Sequence, residues 1–274
     1  MVKKKHIVTY IILISYSFIS LYPMIWMAFY SLKSNEEIFV TNPFGPPQNP
    51  MWENYTNAVT AFNLPVYFKN SIIVAVFSII FGVLFALMFT YVCARVKSRL
   101  TKILRLLVMA GMFIPIQAVM IPLVVMVRKL GLSNSYLSLI VPYMALNFPF
   151  AVMVLYNFYI TLPIELEEAA YAEGAGFVYT FFKIILPQMK GIISVIVIYQ
   201  FMSSWNEFSL ALILVTKDAM KTLPLGLAGF YGQYSTSWGL VGAALVIASA
   251  PVILVYTVFS NQISDAMSYS GTKG

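Results

Sequence analysis

The sequence predicts an all-α, polytopic membrane protein of about six transmembrane helices. Two observations carry this. Apolar residues make up 60% of the 274-residue chain and charged residues only 10%, against roughly 25% charged in a soluble domain. The charges also fall between long uncharged stretches, several of which reach the roughly 20 apolar residues needed to cross a hydrocarbon core.

The first span is expected at residues 8–31, inside the uncharged run Ile7–Leu32. That run is too long for a signal-peptide core and lacks a small-residue cleavage site, so it is read as a retained anchor. Residues 33–69 form a loop rich in Pro and Asn. It is expected to be extended through Asn42-Pro43-Phe44-Gly45-Pro46-Pro47 and to carry a short helix around Asn54–Phe62. The second span, 71–94, and the third, 105–127, lie in the runs Ser71–Ala94 and Leu106–Val127. The run Leu130–Ile164 exceeds one span, and its helix is placed at 136–160. Pro149 in Asn147-Phe148-Pro149 removes a backbone donor there, so a kink is expected, either lining a cavity or bending the packing. The fifth span, 191–215, is interrupted only by Glu207, and a loop at 217–237 leads to the last span at 238–261.

Six spans put both termini on one side. With that side cytoplasmic, the inner segments hold eleven basic residues: Lys3, Lys4, Lys5, Arg95, Lys97, Arg99, Lys102, Arg105, Lys183, Lys190 and Lys273. The outer ones hold six: Lys33, Lys69, Arg128, Lys129, Lys217 and Lys221. The excess favours both termini inside, with loops 33–69 and 217–237 outside and loop 160–190 in the cytoplasm. The chain reads as a single transmembrane domain over 1–274. Its net charge of +7 sits beside the apolar segments, as in membrane proteins, and does not point to nucleic acid. The basic run Arg95–Arg105 is read as a topology determinant with lipid contacts.

Cys93 is the only cysteine and His6 the only histidine. No intrachain disulfide, thiolate cluster, multi-histidine metal site or membrane-buried serine–histidine pair is therefore available. An intramembrane enzyme lacks its residues, and no metal site is expected. No glycine-rich loop ending in Gly-Lys-Ser/Thr occurs, so no nucleotide is expected to bind this chain.

The loop 160–190 is the most informative segment. Pro163 can begin a helix, and Glu165, Glu167 and Glu168 suit the positive end of its dipole. Ala169, Ala170 and Ala172 allow close packing, and Gly174 and Gly176 permit a sharp turn. A second short helix over Phe177–Ile185 is expected to close at Pro187. The product is a helix–turn–helix with apolar side chains that it cannot bury alone, which implies a partner surface.

The spacing Glu168-Ala169-Ala170, then Gly174, then Ile184-x-Leu186-Pro187 resembles the loop signature of bacterial ABC-importer permeases without a gap. Glu173 stands where that family more often has Asp, which keeps the charge. Further stretches resemble the carbohydrate branch, similar to the smaller maltose permease subunit. They are Tyr22-Pro23-Met24-Ile25-Trp26, Trp52-Glu53-Asn54-Tyr55, Asn70-Ser71, Trp205-Asn206-Glu207-Phe208, Thr222-Leu223-Pro224 and Pro251. The resemblance implies a type I ABC importer permease fold and a coupling helix that docks on an ATPase subunit. The implied coupling residues are Glu168, Ala169, Ala170, Gly174, Ile184, Leu186 and Pro187. It further implies a second, homologous permease subunit, an ATPase dimer that carries ATP and Mg²⁺, and an extracellular or periplasmic sugar-binding protein. The ending Ser268–Gly274 is similar to a degraded form of the family's glycine-rich tail.

Trp205, Asn206, Glu207 and Phe208 are the candidate residues of the translocation path. A carboxylate within a span should face protein or water, so Glu207 either contacts the solute or serves a helix break or an intersubunit hydrogen bond. The loop Gly226–Trp238, with Gly229, Tyr231, Gly232, Tyr234 and Trp238, either touches the binding protein or anchors the interface with aromatic rings. Two alternatives stay open: an ABC permease for a non-sugar solute, and an ion-coupled secondary transporter.

Overall fold

A computed structural model describes residues 2–61, 63–230 and 237–271, and among these the regular structure is helical throughout. Among the described residues four helices are each long and apolar enough to cross a bilayer: Ile7–Tyr30, Leu64–Arg95, Leu137–Tyr159 and Trp238–Phe259. Two further apolar pairs are sharply bent. Arg99–Phe113 meets Ile116–Lys129 at 108°, and Phe177–Gln188 meets Lys190–Trp205 at 78°, which brings the total to as many as six spans.

The described chain gathers into two compact units, Met1–Phe68 with Leu225–Pro251, and Lys69–Pro224 with Val252–Gly274. In the first, helix α1 (Val2–Tyr30) leaves its side chains exposed from Ile7 to Ile25. The loop after it is stitched by buried polar groups. Lys33 is fully buried, and its ammonium donates to the carbonyls of Asn42 (2.5 Å) and Gly45 (2.6 Å). Glu37, in a π-helical turn over Glu37–Thr41, accepts from the Gln48 N–H at 2.6 Å. Burying such groups is tolerable only with partners of this kind. Helix α2 (Glu53–Ala61) places Asn54 so that its amide donates to the carbonyls of Ser31 and Lys33. Close approach here requires glycine: a Cβ on Gly239 would stand 2.2 Å from the Lys33 carbonyl oxygen.

The second unit is built on α3 (Leu64–Arg95), α4 (Arg99–Ala110), α5 (Ile116–Lys129) and α6 (Leu137–Tyr159). It continues through α7 (Glu165–Ala172), α8 (Phe177–Gln188), α9 (Lys190–Trp205) and α10 (Ser209–Leu214). Helix α6 packs against α4 and α9. Ala86 and Ala151, both fully buried, let helices close up, as small residues do between membrane helices. Tyr91, Leu155, Tyr159, Ile185, Met189 and Ile196 fill the same core. At one end Asn70 clasps the chain after α10: its amide donates to the carbonyls of Ala219 and Lys221, both at 2.9 Å. Helices α11 (Leu223–Ala228) and α12 (Trp238–Gly271) complete the described chain.

Two of the expected spans are broken, the first of them read from sequence as continuous and the second as interrupted at Glu207. Residues 105–127 divide at Gly111–Pro115, where Ile114, preceding a proline, is held extended (φ −85°, ψ 113°). Residues 191–215 divide at Asn206–Phe208, between α9 and α10.

Candidate functional site

Two assemblies in the second unit carry the sequence-predicted residues, the loop between α6 and α9 and a cavity at the helix breaks. In the loop, α7 runs over Glu165–Ala172 and ends in a left-handed cap. Gly174 has φ +85°, its N–H donates to the Tyr171 carbonyl (3.0 Å), and the Ala175 N–H reaches back to Ala170 (2.9 Å). This is the Schellman pattern, in which glycine satisfies the last carbonyls of a helix. Gly176, by contrast, is extended (φ −81°, ψ 164°), a conformation open to any residue. Pro187 does not close the second helix. Thr180–Ile185 winds as a π-helical turn, and Pro187 sits in the first turn of the α-helical segment after it, where no N–H is required.

The faces of α7 divide the signature. Glu168 and Ala169 are exposed, while Ala170 is buried. Ile184 and Leu186 pack at the core's margin, and Ile185 between them is fully buried.

Sequence reasoning missed the neighbour, Glu167. It is 3% exposed, and both its oxygens are held from α3: Arg95 Nε donates to Oε1 at 2.5 Å and Tyr91 Oη to Oε2 at 3.0 Å. Rings of Phe177, Phe181 and Tyr159 pack around Tyr91 at centroid distances of 4.7, 5.0 and 5.8 Å. Two members of the basic run expected to face lipid thus have protein partners. Arg95 pairs with Glu167, and the Arg105 guanidinium lies 3.6 Å over the Tyr156 ring. A signal existed: Arg95 terminates an apolar span that offers no counter-ion of its own.

The cavity holds about 240 Å³ and is lined from both helix breaks. Gly111, Met112 and Ile114 come from one side and Ser203, Ser204 and Glu207 from the other, with Tyr143, Asn147 and Phe150 of α6 and Tyr199 of α9 between them. Glu207 makes the second break. Its Oε1 accepts the Leu210 N–H (2.7 Å) and its Oε2 the Ala211 N–H (3.1 Å), so the carboxylate caps α10. Tyr143 Oη donates to the same Oε2 at 2.6 Å. Of the four candidate path residues, only Glu207 lines this cavity. Trp205 is buried and stacked on Phe201, the Asn206 amide donates to the Met202 carbonyl, and Phe208 is partly exposed. Asn147, at the expected kink, does line it. Tyr143, Tyr199 and Ser203 were not legible because uncharged residues within a span carry no periodic signal.

In the remaining candidate loop, Gly229 follows α11 and Trp238 opens α12, its N–H donating to Asn35 Oδ1 at 2.9 Å. Tyr231, Gly232 and Tyr234 lie outside the described residues.

The family described as "Binding-protein-dependent transport system inner membrane component" matches residues 78–269, well over half of the chain and including both helix breaks and the loop between α6 and α9. The chain belongs to this family. Among relatives of this inner membrane component, the diacetylchitobiose uptake system permease protein NgcG of Streptomyces coelicolor is 34% identical over 263 residues, 95% of this chain and 87% of its own length. The multiple sugar-binding transport system permease protein MsmG of Streptococcus mutans is 33% identical over 269 residues, 96% of each. The crystal structure of a bacterial ABC transporter involved in the import of alginate shares the fold, with a TM-score of 0.83 at 22% identity over 95% of this chain and 97% of that one. The inner membrane component described here is accordingly an all-α, multi-pass membrane protein with the permease fold of ABC importers.

Proposed function

We propose that this chain is the permease subunit of an ATP-driven, binding-protein-dependent importer for a sugar or oligosaccharide. The observation that carries the reading is similarity over 95% of the chain to a permease of diacetylchitobiose uptake. The solute crosses between this chain and a second, homologous permease. A dimer of ATPase subunits binds ATP and Mg²⁺ and docks on the exposed face of α7 through Glu168 and Ala169, with Gly174 setting the chain reversal. A sugar-binding protein delivers the solute to the outer side, and the loop Gly226–Trp238 meets it there. Both termini and the loop 160–190 are cytoplasmic, in keeping with the eleven basic residues against six.

The cavity suits a hydroxyl-rich solute, since it combines the hydroxyls of Tyr199 and Ser203, the Asn147 amide and the stacked rings of Phe150 and Tyr199, 3.8 Å apart. Broken spans also occur in ion-coupled carriers, where unwound backbone helps to coordinate the coupling ion. Here the carboxylate at the break is already engaged by two backbone N–H groups and a tyrosine, which supports the ATP-driven reading.

The test is reconstitution in proteoliposomes with the partner permease, ATPase and binding protein encoded beside this gene, using a panel of radiolabelled neutral mono- and oligosaccharides. One sugar of the panel is expected to accumulate only with ATP inside, and this subunit alone is expected to hydrolyse no ATP. ATP-independent accumulation, or nucleotide turnover by the isolated subunit, refutes the proposal.

A further inference from the structure

The geometry points to Arg95 and Glu167 as the positioning pair through which movement of the loop reaches the membrane: the last residue of α3 grips the first turn of α7. This rests on the reading of the loop as the ATPase-docking segment, and it names the helix to which that segment is geared.

The argument begins with cost. Withdrawing a guanidinium and a carboxylate from water is expensive, and a well-packed apolar pair holds two elements together as well or better. Here the side chains are 13% and 4% exposed, so the pair is a poor choice for holding strength alone. What it adds is direction. Tyr91 and Arg95 stand one turn apart on α3 and take one oxygen each of the same carboxylate. A second guanidinium nitrogen of Arg95 points at the Leu162 carbonyl at 3.5 Å, in the segment that enters the loop. Glu167 is thus held from two positions one turn apart on α3. The surrounding contacts keep water out: Tyr91 Oη is 3.5 Å from Tyr171 Oη, and Phe177 and Phe181 press on its ring from α8. On α7 the neighbouring Glu168 faces outward. One glutamate is therefore committed to this chain while the next stays available to a partner, and a push on the second is delivered to α3 by the first.

The experiment uses the assembled complex in detergent, with Cys93→Ser as background and Met112→Cys, exposed at the cavity's edge, as a reporter. The reporter's rate of labelling by a water-soluble maleimide is measured without nucleotide and after trapping with ATP, Mg²⁺ and vanadate. Trapping is expected to change the rate in the otherwise unaltered complex. In Arg95→Glu, in Glu167→Arg and in the shape-preserving Glu167→Gln, that response should fall by about tenfold or more, as for the loss of one partner of a buried pair, while the ATPase subunits still co-purify. The exchanged double variant Arg95→Glu/Glu167→Arg should recover most of the response. Single variants that respond like the unaltered complex overturn the inference. So does a double variant that restores subunit levels but not the response, since the pair then only supports the fold. A complex without these substitutions whose reporter ignores ATP instead refutes the importer reading, and this inference with it.

Discussion

Replacing Gly174 by valine tests the loop through its backbone alone. At φ +85°, nothing stands within 4 Å of where a Cβ would sit, so the first added carbon meets no close contact. The penalty comes from the left-handed conformation, about 1–2 kcal/mol for an L-residue, and more for a β-branched one. A penalty of that size shifts a local equilibrium by roughly 5- to 30-fold. It is enough to undo the paired N–H bonds to Tyr171 and Ala170 without unfolding spans that hold themselves. Asparagine tolerates the left-handed region, so Gly174→Asn should keep most of the function that Gly174→Val loses. The assay is co-purification of the ATPase subunit together with ATP-dependent sugar uptake, at membrane levels checked by immunoblot. Full activity in Gly174→Val refutes the reasoning. Equal damage from Val and Asn refutes it too, because the glycine would then be needed for room against the partner and not for its turn.

Glu168→Lys places a positive charge near the amino end of α7 on an exposed face. The chain should keep its own stability within about 0.5 kcal/mol, as surface changes usually do, yet lose the ATPase subunit in pull-down; undiminished co-purification would count against α7 as the docking face. Removing the cap at the second break by Glu207→Ala should cost about 1–2 kcal/mol, read as a lowered thermal midpoint in detergent, whereas an unchanged midpoint would leave the carboxylate free for a purely solute-facing role. In a Cys93→Ser background, a cysteine at Asn49 should react with an impermeant thiol reagent outside intact cells and one at Ser98 should not; the reverse pattern overturns the cytoplasmic placement of the loop.

The long apolar helices were legible because hydrocarbon admits few polar side chains, so uncharged runs mark the helices long enough to cross it. The reversal at Gly174 was legible because left-handed backbone selects glycine, and the loop as a whole because its residues stand at fixed offsets. What escaped depends on packing between distant segments. That Arg95 ends a span without a counter-ion shows that it needs a partner but not that the partner lies 72 residues away, and a count of basic residues treats it as it treats Lys97. The second break was legible, since a lone carboxylate inside an apolar run is one way a helix break announces itself, and the chain does divide at Asn206–Phe208. The first escaped, because Gly111–Pro115 carries no charge to interrupt the run. Pro115 marked the first break, but a proline in an apolar run also suits a kinked continuous helix.

Consecutive residues of an α-helix are about 100° apart around its axis, so Glu167 can be buried and Glu168 exposed in a narrow range of rotational settings only. The phase of α7 is therefore itself a specification. Its start after Pro163 sets which carboxylate meets Arg95 and which meets solvent. A single residue added between Pro163 and Glu165 would preserve every charge in the loop and much of its helical propensity. It would nonetheless turn Glu168 away from the face it now presents and bring a different residue beneath Arg95. The insertions and deletions that loops ordinarily absorb are, over these few positions, changes of wiring.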